Sequence, residues 1–120
     1  MTAAAFLRAT ATNTPAPEPP GEDADETFAA AFRAAVKLRF RADAPLAAIT
    51  GSVRAATRRH GELVPVREAE MLIRSALGEQ VPVAEIARTA SVTAHVLLFA
   101  TLVEELALTD DELDELLAEL

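Results

Sequence analysis

The sequence predicts an all-α protein: a compact bundle of five to six helices around a central apolar helix, with a disordered N-terminal tail. Three observations carry that reading. Apolar residues recur at i, i+3, i+4 and i+7 in segment after segment, while the period-2 alternation of strands is nearly absent. The apolar content, 51% of 120 residues, is mostly Ala, Leu and Val, and Ala and Leu are strong helix formers. One stretch, Val92–Leu108, is the most apolar continuous segment of the chain.

On a helical wheel Val92–Leu108 places Thr93, Thr101, Glu104 and Glu105 on one side. Val96, Phe99, Ala100, Leu102, Val103, Leu106 and Ala107 cover the other. A surface helix carries an apolar stripe a little over ~100° wide. This one is wider, so it needs several neighbours. Seventeen residues ending near two glutamates are short for a membrane span.

Residues 1–24 read as a flexible tail rich in Pro, Thr and acidic residues, and residues 25–120 as one helical domain. Ala3–Arg8 can form a short helix carrying Phe6 and Leu7, but a frayed terminus is the plainer expectation. The first firm helix spans Glu26–Arg41, capped by Asp25. Phe28, Phe32, Val36 and Phe40 make its apolar stripe, with Arg33, Lys37 and Arg41 beside it at the same spacing. Arg39 falls within the apolar stripe, placed to snorkel, to stack on Phe32 or Phe40, or to reach the C-terminal carbonyls.

Asp43 and Pro45 open the next helix, Ala44–His60, which buries Leu46, Ile49, Val53 and Ala56. Gly51 in its interior signals close packing or a bend. Arg58, Arg59 and His60 suit its last turn, and Gly61 stops it. Pro65–Leu77 follows, with Val66, Ala69, Leu72, Ile73, Ala76 and Leu77 on one side and a Glu70–Arg74 pair, closed by Gly78. Pro82–Ala90 reads as a short helix, and Ser91 as the cap of the central one. The last helix has the fullest signature. Thr109 and Glu112 form a capping box, Leu108 and Leu113 a staple, and Leu113, Leu116, Leu117 and Leu120 a stripe.

Net charge is −8, unevenly placed. Residues 25–60 carry a net +4 and residues 61–120 a net −10. That polarity either attracts a partner or is satisfied within the fold. The absence of cysteine excludes disulfides and thiolate chemistry and fits a cytoplasmic location; residues 1–9 lack the apolar run of a secretory signal. The excess of Arg over Lys, with abundant Ala, is of the kind that GC-rich bacterial genomes produce.

No nucleotide loop, nucleophile elbow or paired-histidine motif occurs, so the reading is non-enzymatic, with no cofactor and no metal. His60 and His95 lie far apart in sequence, and His95 on the apolar side near Phe99 and Leu102 reads as a packed histidine. TDDELDELLAEL lacks the ligand pattern of a calcium loop.

The expected function is a helical protein–protein interaction module, such as an adaptor, inhibitor or assembly subunit, that self-associates as a homodimer. The candidate partner-binding residues are Arg33, Lys37, Arg41, Arg54 and Arg58, together with Leu97, Leu98, Leu113, Leu116 and Leu117. Arg59 belongs to the same basic set. Leu97 and Leu98 enter because they spill onto the more polar side of the central helix. The alternative is a nucleic-acid-binding regulator with a helix-turn-helix-like segment at 82–108. The physics of docking weighs against it, because the second helix offers Thr93 and His95, then apolar residues and two glutamates that phosphate repels. A pocket for an apolar ligand beside Phe99 and His95 is a third possibility.

Overall fold

The structure is a computed structural model that describes residues 2–12 and 24–120. Among the described residues six α-helices form and no strand occurs. They are α1 (Ala3–Ala11), α2 (Asp25–Arg39), α3 (Leu46–His60), α4 (Val66–Ala76), α5 (Arg88–Leu106) and α6 (Asp110–Ala118). Short 3-10 turns cover Gly61–Leu63 and Val83–Glu85. The Cα radius of gyration is 13.1 Å, that of a compact globule.

α5 contains the apolar stretch, and every residue from Leu98 to Val103 is buried. Six consecutive buried residues leave no side of a helix facing water. Cover comes from α1, α2, α3 and α4, all of which pack against it. With its first turn included, α5 is by length and composition long and apolar enough to cross a membrane. Thr101, expected on the polar side, is buried; its hydroxyl donates to Leu97 O at 3.0 Å, so nothing is left unsatisfied. Leu98, expected at the surface, is wholly buried. A helix covered on every side has no polar face for it to spill onto.

The expected helix Pro82–Ala90 does not form. Residues 83–85 make a single 3-10 turn and Ile86 is extended, with φ −76° and ψ 129°. Two turns opened by a proline are too short to offset the cost of helix nucleation without strong packing. α5 therefore begins at Arg88, and Ser91 sits inside its first turn, donating from its backbone N–H to Ala87 O at 3.0 Å. It is not the cap.

α1 corrects the reading of residues 1–12 as a frayed end. Thr2 caps it by accepting from the Ala5 N–H at 3.1 Å, and Leu7 is fully buried. Phe6 packs its ring against Phe28, with centroids 5.8 Å apart. Arg8 pairs with Asp114 of α6 at 3.1 Å. A nine-residue helix is marginal in isolation, so tertiary contacts hold this one. Residues 13–23 of the expected tail lie outside the described residues.

α2 buries Phe28, Ala31, Phe32, Ala35 and Val36, the expected stripe widened by alanines. It starts at Asp25 itself, so Asp25 is not the cap; its carboxylate is held by Arg88, from Nε at 2.6 Å and from Nη2 at 3.0 Å. It ends at Arg39, and Phe40 turns extended while staying buried. Arg41 therefore lies beyond the helix and off the stripe. Arg39 stacks over the Phe40 ring, 4.8 Å from its centroid.

α3 buries Ile49, Ser52, Val53 and Ala56, with Pro45 rather than Asp43 at its cap position. Leu46 is 56% exposed instead of buried, because residues 45–47 stand outside the packed region. Gly61 stops the helix with φ +67°. Gly51 serves no close approach: a Cβ built there meets nothing within 4 Å.

α4 buries Ala69, Leu72 and Ile73, and leaves Val66 half exposed at its first position. It closes in a Schellman motif, with Gly78 at φ +95°, its N–H on Ser75 O and the Glu79 N–H on Arg74 O, both at 3.0 Å. That closure brings Glu79 onto the Arg74 guanidinium, at 2.8 Å from Nε, in place of the expected Glu70.

α6 has its capping box in full: the Glu112 N–H donates to Thr109 Oγ1 at 3.1 Å and the Thr109 N–H to Glu112 Oε1 at 3.0 Å. Leu113 is buried, and Leu116 and Leu117 pack partly buried against the core.

Two substitutions test this architecture. Leu7→Ala should lower unfolding free energy in urea by about 2–5 kcal/mol, the usual cost of emptying a core leucine site. A frayed terminus would give almost no change. Gly51→Ala should raise stability by up to ~1 kcal/mol, since the site is helical, exposed and sterically open.

Candidate functional site

The charged side chains divide into those used inside the fold and those left at its surface. Arg39 and Ser52 meet at one carboxylate. Ser52 Oγ donates to Glu105 Oε1 at 2.6 Å, and Arg39 Nε lies 3.4 Å from the same oxygen. This junction ties α2, α3 and α5 together.

Arg59 makes a second junction. Its Nη1 donates to Glu104 Oε2 at 2.6 Å and to Ala100 O at 3.0 Å, and its Nη2 donates to Ala11 O at 3.2 Å. Ala11 ends α1, where carbonyls lack helical partners, so Arg59 supplies a donor the terminus needs. Its side chain is only 19% exposed. Arg59 therefore leaves the expected surface set and becomes a structural residue.

The neighbouring His60 has its Nε2 buried without a hydrogen-bond partner. Burial holds its pKa below the ordinary value, the Arg59 charge adds to the effect, and Glu104 opposes it.

The remaining basic candidates are all exposed: Arg33 and Lys37 one turn apart on α2, Arg54 and Arg58 one turn apart on α3, and Arg41 in the connection between. Among the described residues none of these five has an ion pair with a carboxylate, unlike Arg8, Arg39, Arg59, Arg74 and Arg88. Among the described residues the exposed Asp111 and Glu115 of α6 and Glu119 just past its end likewise have no cation, whereas Asp110 and Asp114 take Arg8. Leu38 on α2 is 59% exposed and Leu120 after α6 is 45% exposed.

The leucine candidates separate. Leu98 and Leu113 belong to the protein's own core, and Leu116 and Leu117 are partly covered by it. Leu97 lines an opening. It shares a cleft of about 230 Å³ with Phe6, Phe28, Val92 and Val96, and the Asp25–Arg88 pair stands at its edge.

A second cleft, of about 280 Å³, lies between α2, α4 and α5. Phe32, Leu72 and Val83 give it an apolar lining, and Arg33, Ser75, Ser91 and His95 supply its polar groups. The His95 ring packs on Phe32 with centroids 4.9 Å apart. His95 shares the face of α5 that carries Phe99 and Leu102, and its ring contact with Phe32 extends that packing across the helix interface. Burial drives the His95 pKa down to about 4, the Arg33 charge acts in the same direction, and Asp25 opposes both. At neutral pH the imidazole is uncharged.

No group of three or more metal-ligating side chains is assembled among the described residues. In the helix-turn-helix-like segment the first helix is absent, and much of the second is core.

Ser52, Arg59 and Glu105 were missed as a set, although each leaves a trace in the sequence. Ser52 interrupts the apolar stripe Ile49, Val53, Ala56, and Arg59 continues that face two turns on. Glu105 stands at i+7 from the buried Leu98. A polar residue on an apolar stripe marks a site where a distant partner is required.

No family model, curated protein or solved structure matches this chain.

His95 yields a pH prediction. Its folded pKa of about 4 lies below the unfolded value of 6.5, so the unfolded chain binds more protons between them. The stability it contributes is present above pH 6.5 and is lost as pH falls toward 4. At pH 5 the loss should be about 2 kcal/mol relative to pH 7. Urea unfolding at both pH values checks it: His95→Leu should shrink the difference by that amount.

Proposed function

We propose that the chain is a non-enzymatic protein–protein interaction module that self-associates, the basic surface of α2 meeting the acidic face of α6 on a second copy. One observation carries the reading: two unpartnered stripes of opposite charge share a spacing. Arg33 and Lys37 stand four residues apart on α2, and Asp111 and Glu115 stand four residues apart on α6. Four residues along a helix rise about 6 Å, so Arg33 and Lys37 match the pitch of Asp111 and Glu115. Arg41, past the end of α2, extends the basic surface without keeping that pitch.

The exposed Leu38 adjoins the basic stripe and Leu120 the acidic one, which supplies apolar area beside each set of charges. Two copies related by a twofold axis make the contact twice, once in each direction, and the assembly closes as a dimer. Arg54 and Arg58 lie on a separate helix and serve as a second exposed basic pair.

Sedimentation equilibrium tests the reading with a charge swap. The native chain should show a concentration-dependent dimer. Lys37→Glu alone and Glu115→Lys alone should each weaken it, and mixing the two variants should restore association as a heterodimer. A native chain that stays monomeric across the concentration range removes the proposal. A monomer that instead binds duplex DNA, with affinity falling steeply as salt rises, favours the nucleic-acid alternative.

A further inference from the structure

We infer that the cleft between α2, α4 and α5 is a binding site for a small monocarboxylate with an apolar body, which Arg33 and the His95 imidazole receive at the polar end. The site lies within one chain and needs no second copy to form.

The lining divides by chemistry. Phe32 and Leu72 form apolar walls, while Arg33, Ser75, Ser91 and His95 bring donors to the same opening. A guanidinium presents two parallel N–H donors that match the two oxygens of a carboxylate. The serine hydroxyls and one imidazole nitrogen can each complete the carboxylate's remaining acceptor sites.

Charge selects a monoanion. Among the described residues that line the cleft, Arg33 alone carries a full positive charge, because His95 is neutral at physiological pH. A phosphate dianion would leave one charge uncompensated in a partly desolvated site. Asp25, the carboxylate whose charge opposes the lowering at His95, is occupied by Arg88 in a two-bond pair. Size limits the apolar body. At about 280 Å³ the cleft is just under the usual range for small-molecule pockets, about 300–1,000 Å³, so it suits a single ring or a short chain.

Titration with benzoate, followed by NMR, tests the assignment. Benzoate should shift the His95 imidazole protons and the Ser75 and Ser91 amides along one saturable curve. Benzamide, equal in shape and uncharged, should bind about tenfold more weakly or worse, as expected when a charge-assisted pair is lost. Arg33→Gln should weaken benzoate by a similar factor, and Arg54→Gln, exposed on α3 and outside both the cleft and the α2 stripe, should leave it unchanged. Shifts confined to surface arginines, equal binding of benzoate and benzamide, or an unaltered affinity in Arg33→Gln would each overturn the inference. Because Arg33 is exposed, its variant keeps the fold; an unchanged amide spectrum away from the cleft checks this.

Discussion

The constraint on which the rest of the structure depends is the complete burial of α5 between Leu98 and Val103. A helix that is apolar on every side has no stable place at a water interface. It must be sheathed, and one or two neighbours cannot cover its whole circumference. A small domain buries a limited share of its surface, so few helices are free to stand aside. Here α1, α2, α3 and α4 all touch α5. This explains why α1, at nine residues, is held in place: it closes a sector that would otherwise expose the central helix. Leu7 is its anchor, and the Arg59 guanidinium on the Ala11 carbonyl fastens its far end.

What could be read from the sequence follows from the range of each interaction. The α2 stripe, the Thr109–Glu112 box, and the stops at Gly61 and Gly78 are set by residues a few positions apart, and the structure contains them all. Pairings across the chain leave weaker traces. Arg59 meets Glu104, Ser52 meets Glu105 and Arg88 meets Asp25 over separations of 45, 53 and 63 residues. Periodicity identifies the apolar face of a helix and is silent about which helix covers it. Leu98 was misplaced for this reason: its wheel position looked polar only because Thr101 and Glu105 share that side. Both are satisfied locally or by a distant partner, which lets the face be buried.

The charge division between the two halves has a similar structure. Part of it is internal: Arg39 and Arg59 from the basic half meet Glu105 and Glu104 from the acidic half. Exposed ion pairs contribute only about 0–1 kcal/mol each, so their value here lies in register more than in stability. Arg59 differs, being largely enclosed and donating to two backbone carbonyls as well as a carboxylate. Among the exposed charges without such partners, Arg33 and Lys37 lie on α2, Arg54 and Arg58 on α3, and Asp111 and Glu115 on α6, and the proposed self-association rests on that separation.

Arg33 is the point at which the surface stripe and the cleft meet, and its dual position constrains how the two can act. A bound carboxylate would cancel one of the charges that α2 offers to an acidic surface. By linkage, a partner that engages Arg33 would then weaken the carboxylate by the same factor. The coupling runs through one side chain and needs no conformational change. Lys37 lies outside the cleft, and Ser75 and Ser91 lie outside the stripe. Substitutions at those positions therefore report on each surface separately, whereas a change at Arg33 alone cannot distinguish a lost partner from a lost ligand.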